Sequence, residues 1–253
     1  MTSSVLLLGD PVSRSLSPAM QNAAFEALGI DCHYEPREVN AAGLAAAVAA
    51  LRADEHSLGA NVTIPHKESV IALLDDLDPL AARIGAVNTI TRQRMRLKGW
   101  TTDIEGFRHA AEECGYAIDG SVVAIIGAGG AARAVAAAVQ RAAAQVWVIA
   151  RSLDQARRLC HDLEIEGGGP VDMNQMQESV ARADLVVNAT PADLPPMAWL
   201  RAGQRLFDLR SRRSVEGRAM LLYQGAASFA LWTGRAAPVD VMRGALDHES
   251  VPA

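Results

Sequence analysis

Short apolar runs alternate with longer helical patterns along the chain. Runs such as SVLLLG, LGANVTI, SVVAIIG, AQVWVIA, ADLVVNATP and QRLFDL are typical of strands. Patterns such as PAMQNAAFEAL, AAGLAAAVAALRA, RAMLLYQGAASFALWTG and PVDVMRGALD are typical of helices. This alternation predicts an α/β protein with mainly parallel sheets.

Local signals refine the expected elements. Ser17 and Pro18 predict the start of a helix that ends at Gly29. The stretch AVNTITRQRMRLKGW alternates around a polar turn, which predicts a β-hairpin. Ile64-Pro65-His66 predicts the start of a helix that continues through ESVIALLDDL, with Lys67 in its first turn. HESVPA, at the C-terminal end, predicts a frayed tail.

The order of these elements predicts two domains. A helix capped by Thr102-Asp103 closes the first group of elements, and a new strand–turn–helix unit starts at SVVAIIG. We expect residues 1–103 and 218–253 to form one domain and residues 104–217 to form the other. The last helices return to pack on the N-terminal part.

Composition excludes several classes of protein. The chain has 253 residues, is 50% hydrophobic and carries a net charge of -5, which argues against nucleic acid as the main partner. Its three cysteines are far apart, which argues against a disulfide framework or a metal site and favours the cytoplasm. No run is long and apolar enough to span a membrane.

The stretch IIGAGGAA places Gly127, Gly129 and Ala132 between a strand and a helix. In a dinucleotide site, the first glycine permits the tight turn and the second lets the backbone approach a pyrophosphate. The helix N-terminus then offers N–H groups to the phosphates. The alternatives are a purely structural turn and a nucleotide-type fold that binds S-adenosylmethionine.

Arg151 and Ser152 end the next strand, where NAD-binding sites carry an acid and where an arginine suits the 2′-phosphate of NADP. This position predicts NADP as the cofactor, and a plain surface arginine is the alternative. NATP, from Asn188 to Pro191, ends the following strand, on the nicotinamide side of such sites.

Lys67 is the strongest candidate for proton transfer. A cation in the first turn of a helix costs about 0.3–1 kcal/mol, because the helix dipole is positive there. The same field would lower the pKa of the lysine towards neutral values. Asp103 is its candidate partner, although an aspartate before a helix is also a common N-cap. Alternatively, the Lys67 side chain extends into solvent.

Ser15 and Ser17 are candidates for binding a carboxylate through their hydroxyls. The alternative is that Ser17 only caps the helix that follows it.

Seven motifs occur in one order along nearly the whole chain: GDPVSRSLSPAMQNAAFEALG, GANVTIPHKE, GAVNTI, TTDIEGF, GAGGAARA, VVNATP and MLLYQGAASFALWTG. Together they closely resemble shikimate dehydrogenases. The resemblance implies reversible reduction of 3-dehydroshikimate to shikimate with NADPH, a step of aromatic amino-acid biosynthesis. It also implies a substrate domain, a Rossmann-type NADP domain and a cleft between them. Either a monomer or a homodimer is expected, without membrane or nucleic-acid partners.

The resemblance also implies roles for individual residues. Lys67 and Asp103 match the catalytic pair, and Ser15 and Ser17 match the grip on the substrate carboxylate. The other matches bind the substrate ring and the cofactor. Those for the substrate are Asn61, Thr63, Asn88 and Gln224; those for the cofactor are Gly127, Ala128, Gly129, Gly130, Ala131, Arg151, Ser152, Ala189, Thr190 and Gly217. No metal is expected.

The chain departs from the family pattern at several places. Thr101 stands where the family usually has asparagine, as does Ala150. After QRLFDL the family continues with a tyrosine, a proline and a helix, whereas Ser211 stands at the tyrosine's place and that helix is missing. The tyrosine helps to hold the substrate. One arginine of the RSRR stretch, among Arg210, Arg212 and Arg213, would take over this contact, or all three point to solvent.

Two other functions fit the same residues. A relative acting on quinate or aminoshikimate is the nearest enzymatic alternative. A non-catalytic NADP-binding sensor is the alternative from another class; the shortened segment favours it, and the Lys67–Asp103 pair argues against it.

Overall fold

The computed structural model describes residues 2–249, which form two compact units. The first unit comprises the chain up to Thr102 and from Leu221 onwards, and the second comprises Asp103–Met220. Most of the predicted tail HESVPA lies outside the described residues. Within residues 2–249, no helix combines the length and apolar character needed to cross a membrane.

Strands and helices alternate along most of the chain, as the sequence predicts. The strands are β1 Ser3–Gly9, β2 Cys32–Glu38, β3 Ser57–Val62, β4 Asp76–Leu77, β5 Thr89–Gln93, β6 Arg96–Trp100, β7 Val122–Ile126, β8 Gln145–Ala150, β9 Gly168–Asp172, β10 Leu185–Asn188 and β11 Arg205–Asp208. The helices are α1 Ser17–Ala27, α2 Leu44–Ala53, α3 Pro79–Ile84, α4 Asp103–Glu113, α5 Gly130–Val139, α6 Leu153–Asp162, α7 Met176–Arg182, α8 Val215–Thr233 and α9 Val239–His248.

The first unit is built on a mixed six-stranded sheet of order β2-β1-β3-β5-β6-β4. β1 pairs in parallel with β2 and β3, whereas β5 pairs antiparallel with β3 and β6. The β5–β6 pair is the predicted hairpin. One side of the sheet packs on α1, α8 and α9 through residues such as Phe25, Phe229 and Met242, and a second cluster includes Leu8, Val48 and Ile90.

The second unit is built on a parallel five-stranded sheet of order β11-β10-β7-β8-β9. Counted from β7, this order fills the first five positions of the Rossmann order 3-2-1-4-5-6. The chain order reverses between β7 and β10, and ligands of open α/β sheets bind at such a switch point. The predicted α/β class and Rossmann-type unit are confirmed.

The predicted helix after Ile64 is wrong. Ile64 and Pro65 are joined by a cis peptide bond, and the next regular element is a five-residue 3₁₀ helix, Ser69–Leu73. Lys67 lies in a turn before it, outside any first turn of an α-helix. The backbone is held by tertiary contacts, since the His66 ring bonds the carbonyl of Val39 and the Lys67 carbonyl accepts from Val87 N–H at 2.8 Å.

Other boundaries also differ from expectation. α1 has Leu16 as its N-cap, so Ser17 is the first helical residue rather than the cap. α8 starts before Gly217, at Val215. β9 has the sequence GGPVD, which is typical of a turn, yet it pairs with β8. A Cβ atom on Gly168 would lie 2.3 Å from the Val146 carbonyl oxygen, so glycine permits this close strand approach.

Candidate active site

The turn after β3 carries Thr63 and Lys67, both partly exposed. Thr63 N–H donates to the Leu8 carbonyl at 2.9 Å, which anchors the turn to β1. A Cβ on Gly9 would lie 2.3 Å from Thr63 Cγ2, so a larger residue at position 9 would displace the threonine. Backbone hydrogen bonds thus fix both candidate side chains without a helix.

Behind this turn, two asparagine side chains lie in the interior of the first unit. Asn61 is 5% exposed and Asn88 is 2% exposed. Asn61 Nδ2 donates to the Asn88 carbonyl at 3.0 Å and to Thr89 Oγ1 at 3.1 Å. Asn88 Nδ2 donates to Thr102 Oγ1 at 2.8 Å and to Gln224 Oε1 at 3.1 Å. Internal partners therefore set the orientation of both amides.

Ser228 is the point where these side chains meet. It is fully buried on α8, and its Oγ lies 2.7 Å from Thr89 Oγ1, 3.2 Å from Thr102 Oγ1 and 3.2 Å from Asn61 Nδ2. Its hydroxyl also lies 2.9 Å from the Gln224 carbonyl oxygen. The network joins β3, β5, the end of the hairpin and α8, so Gln224 is held at a fixed distance from the asparagines.

Ser15 and Ser17 lie together at the start of α1. Ser15 Oγ accepts from the Ser17 N–H at 3.2 Å, and the two hydroxyl oxygens are also 3.2 Å apart. Ser17 is 6% exposed, while Ser15 is partly exposed. Both hydroxyls and the first N–H groups of α1 form the kind of donor group that a carboxylate requires.

Asp103 begins α4 and follows directly on Thr102, whose N–H donates to Asn88 Oδ1 at 2.8 Å. The carboxylate is 4% exposed. Asp103 belongs to the second unit and Lys67 to the first. The pairing of these two side chains stays a prediction.

The glycine turn lies between β7 and α5, at the switch point of the second unit. Gly127 has a φ of +119°, and a Cβ there would lie 3.2 Å from the Ala189 carbonyl oxygen and from Thr190 Cγ2. Gly129 is different: its φ is -86°, and a Cβ would meet nothing within 4 Å. The space beside Gly129 and the N-terminus of α5 fit the pyrophosphate of a dinucleotide.

The NATP loop beside this turn is held by Asn188, which is fully buried. Asn188 Oδ1 accepts from the N–H of Thr190 at 3.1 Å and from its hydroxyl at 2.8 Å. Asn188 Nδ2 donates to the Ala192 carbonyl at 2.9 Å. The structure therefore brings Gly127, Ala189 and Thr190 together, as the sequence predicts.

Arg151 follows β8 and is exposed. Ser152 is the N-cap of α6, and its Oγ accepts from the Gln155 N–H at 3.3 Å. Ser152 therefore has a structural role in addition to its predicted role at the 2′-phosphate. The exposed guanidinium at the end of the second Rossmann strand fits an NADP site.

Family models match most of the chain. The shikimate dehydrogenase substrate binding domain matches residues 7–90, and the shikimate/quinate 5-dehydrogenase model matches residues 109–202. The shikimate 5′-dehydrogenase C-terminal domain matches residues 217–246. The shikimate dehydrogenase (NADP(+)) of Moorella thermoacetica is 45% identical over 270 residues, covering 95% of this chain and 91% of the relative. The chain belongs to the shikimate dehydrogenase family.

Other members of the family align with this chain along nearly their full length. The shikimate dehydrogenase (NADP(+)) of Methanopyrus kandleri is 42% identical and covers 98% of this chain and 96% of the relative. The crystal structure of the Thermus thermophilus enzyme in complex with NADP(H) and shikimate has a TM-score of 0.83 and 33% identity. It covers 98% of this chain, and this chain covers 99% of it.

The segment that departs from the family is a compact turn after β11. Arg210 Nε donates to both oxygens of Asp208 at 2.9 Å, and its guanidinium also bonds Asp193. These hydrogen bonds, above all those that Arg210 donates to Asp208, raise the pKa of Arg210 further above its usual value. Arg213 lies 3.7 Å from Asp193. Arg210 is thus held by two carboxylates of the protein. It neither points freely to solvent nor is available to replace the tyrosine at the substrate carboxylate, so both alternatives from the sequence fail for this arginine.

Gly217 lies within the first turn of α8, against this shortened segment. A Cβ there would lie 2.7 Å from the Arg210 carbonyl carbon, and the Gly217 N–H donates to Ser214 Oγ at 2.8 Å. Glycine at 217 is therefore required for packing, whatever its role toward the cofactor. At another departure, Thr101, the buried hydroxyl has no hydrogen-bond partner among the described residues.

Tyr34, Thr89 and Ser228 also belong to the buried network, although the sequence did not single them out. Ser228 stands four residues after Gln224 on α8, a spacing that puts both side chains on one face of a helix. That spacing was a usable signal. Tyr34 and Thr89 lie in strands and reach their partners only across the sheet, which no local pattern reveals.

Substituting Gly129 by alanine separates a dinucleotide site from a structural turn. We expect Gly129→Ala to leave the thermal midpoint nearly unchanged, because its φ suits alanine and the space is open. NADP affinity should fall roughly tenfold or more, about 1.4 kcal/mol, since the methyl group occupies the pyrophosphate position. Calorimetric titration and thermal unfolding measure both quantities.

The matched control is Gly127→Ala, which should destabilise the fold because its φ is positive and its surroundings are close. Unchanged NADP affinity in a folded Gly129→Ala variant would show that the turn serves the fold alone.

Arg151→Asp should move cofactor preference from NADP towards NAD. The change removes a guanidinium that pairs with phosphate and supplies an acid for the ribose hydroxyls. The free energy of NADP binding should weaken by about 1.5–3 kcal/mol, which lowers the affinity by roughly one to two decades. The ratio of kcat/KM for the two cofactors is the measurement. Arg158→Asp, which makes the same charge change at an exposed position on α6, is the control. Equal ratios in both variants would make Arg151 an ordinary surface residue.

Proposed function

We propose that this protein is an NADP-dependent oxidoreductase that interconverts 3-dehydroshikimate and shikimate. The observation that carries this proposal is the fixed hydrogen-bond network of the first unit. Buried hydroxyls hold Asn61 and Asn88, and Asn88 in turn donates to Gln224. The family relatives named shikimate dehydrogenase (NADP(+)) support it. These relatives favour the shikimate interpretation over the quinate, aminoshikimate and sensor alternatives.

Both partly exposed and almost fully buried side chains of the first unit would take part in substrate binding. Ser15 and Ser17 would bind the carboxylate, and Thr63 and Gln224 would bind the ring hydroxyls. Asn61 and Asn88 have internal hydrogen-bond partners and are almost fully buried. We infer that their main task is to orient the exposed donors, and direct contact with the substrate stays a prediction.

The cofactor would occupy the switch point of the second unit. NADP(H), when bound, supplies or accepts the hydride. Backbone groups of the glycine turn would hold its phosphates, Arg151 and Ser152 its 2′-phosphate, and the NATP loop its nicotinamide side. The residues concerned are Gly127, Ala128, Gly129, Gly130, Ala131, Ala189, Thr190 and, at the start of α8, Gly217. The open space at Gly129 supports this assignment.

Lys67 and Asp103 would manage the proton. When the ring carbonyl is reduced, its carbon gains the hydride and its oxygen gains a proton, which this pair would donate. In the oxidation direction, the pair would accept the hydroxyl proton. The hydrogen bond from Val87 N–H to the Lys67 carbonyl fixes the backbone from which the lysine side chain extends.

We further propose a cytoplasmic protein that acts as a monomer or homodimer, without nucleic-acid or membrane partners. The net charge of -5 supports the absence of nucleic acid as a partner. The three cysteines are free thiols, which supports a reducing compartment.

Lys67→Ala should lower kcat by about 10²–10⁴, because removal of a general acid–base group typically has this effect. The NADP dissociation constant should not change, since Lys67 belongs to the first unit and the glycine turn to the second. Stopped-flow absorbance at the NADPH band measures the rate. Lys98→Ala, on strand β6, is the control and should keep normal activity. A near-normal rate in Lys67→Ala would refute the catalytic assignment.

Shikimate should be oxidised with a weak KM, and a bulkier or ring-substituted analogue should be better. The reason is the lost tyrosine hydroxyl, since a hydrogen bond to a charged group contributes about 1.5–3 kcal/mol. Arg210 does not restore it, because it is held by Asp208 and Asp193. Steady-state KM values across shikimate, quinate and amino analogues decide the matter. A micromolar KM for shikimate, with every analogue worse, would show that the shortened segment has no consequence.

A further inference from the structure

Tyr34, in β2, has no role in the function described so far. Its side chain is fully buried, and its ring lies 6.1 Å from that of Trp232. The backbone on both sides is held by Asn22 of α1, which accepts from the Tyr34 N–H at 2.8 Å and donates to its carbonyl at 2.9 Å. The ring is therefore fixed between β2, α1 and α8, and only the hydroxyl points to polar groups.

The Tyr34 hydroxyl contacts one side chain of the proposed substrate site. It donates to Asn61 Oδ1 at 2.9 Å, and both residues are buried. An amide oxygen can only accept, so the tyrosine proton goes to Asn61. This hydrogen bond ties the tyrosine of β2 to the amide of β3.

Burial raises the pKa of Tyr34 well above its usual value, so the hydroxyl stays protonated and remains a donor at every working pH. Asn61 Nδ2 is already used by the Asn88 carbonyl, Thr89 and Ser228. Tyr34 supplies the donor for the other end of the Asn61 amide, the oxygen. Without the hydroxyl, Asn61 Oδ1 would lose this partner inside the protein.

We propose that Tyr34 is a positioning residue, whose hydroxyl orients Asn61 for a substrate that carries ring hydroxyls. This inference rests on the proposed function. Tyr34 acts through the Asn61 amide and not by touching the substrate.

The test is the steady-state kinetics of Tyr34→Phe, which keeps the ring and removes only the hydroxyl. We expect KM for shikimate to rise about three- to tenfold, the usual effect of one lost hydrogen bond. KM for NADP should stay at the wild-type value, which also reports that the variant is folded. Tyr223→Phe, whose hydroxyl bonds Arg243 at 3.2 Å outside this network, should match the wild type.

A double-mutant cycle provides the second measurement. Tyr34→Phe and Asn61→Ala should be non-additive in KM for shikimate, because the tyrosine hydroxyl acts through the Asn61 amide. Unchanged shikimate KM in Tyr34→Phe, an equal rise in both KM values, or strict additivity with Asn61→Ala would each overturn the inference. A wild-type protein that does not oxidise shikimate would instead overturn the proposed function, and that result appears before any variant is made.

Discussion

The need to satisfy buried polar groups shapes the first unit more than any other constraint. A buried amide without a partner costs about 1–3 kcal/mol, so Asn61 and Asn88 require fixed donors and acceptors around them. Those partners come from β3, β5, the residues after β6 and α8. Because each element contributes one partner, none can shift without leaving a polar atom unpaired. A surface that binds hydroxyls and a carboxylate gains its precision from this interior.

Close backbone approach plays the corresponding part in the second unit. The fold alone explains why residue 127 is glycine, because its φ is positive and because Ala189 and Thr190 lie where a side chain would be. Neither reason applies to Gly129, because its φ suits any residue and no protein atom lies within 4 Å of the position of a Cβ atom. A glycine that the fold does not require, at the N-terminus of a helix and at a sheet switch point, is best explained by a ligand.

Sequence patterns predicted the elements whose character is local. Alternating strands and helices, the hairpin at Thr89–Trp100 and the strand–turn–helix at Gly127 follow from periodicity and turn residues. The prediction failed at Lys67, where contacts with Val39 and Val87 override local preference. The strand GGPVD, which no pattern indicated, forms by pairing with β8. In the same way, the motifs located Ser17, Asn61 and Gln224, whereas Tyr34 and Thr89 are recognised only through partners that lie far away in the sequence.

The shortened segment after β11 changes how substrate binding is distributed. The family's tyrosine is replaced by a turn in which Asp208 and Asp193 hold Arg210, and the turn packs against Gly217. The positive charge of Arg210 is therefore balanced within the second unit and is not directed at a ligand. In the proposed function, recognition of the carboxylate would then fall on Ser15 and Ser17 of the first unit. Ser17 is almost fully buried and Asn61 is held by the Tyr34 hydroxyl, so the interior of that unit would carry much of the specificity.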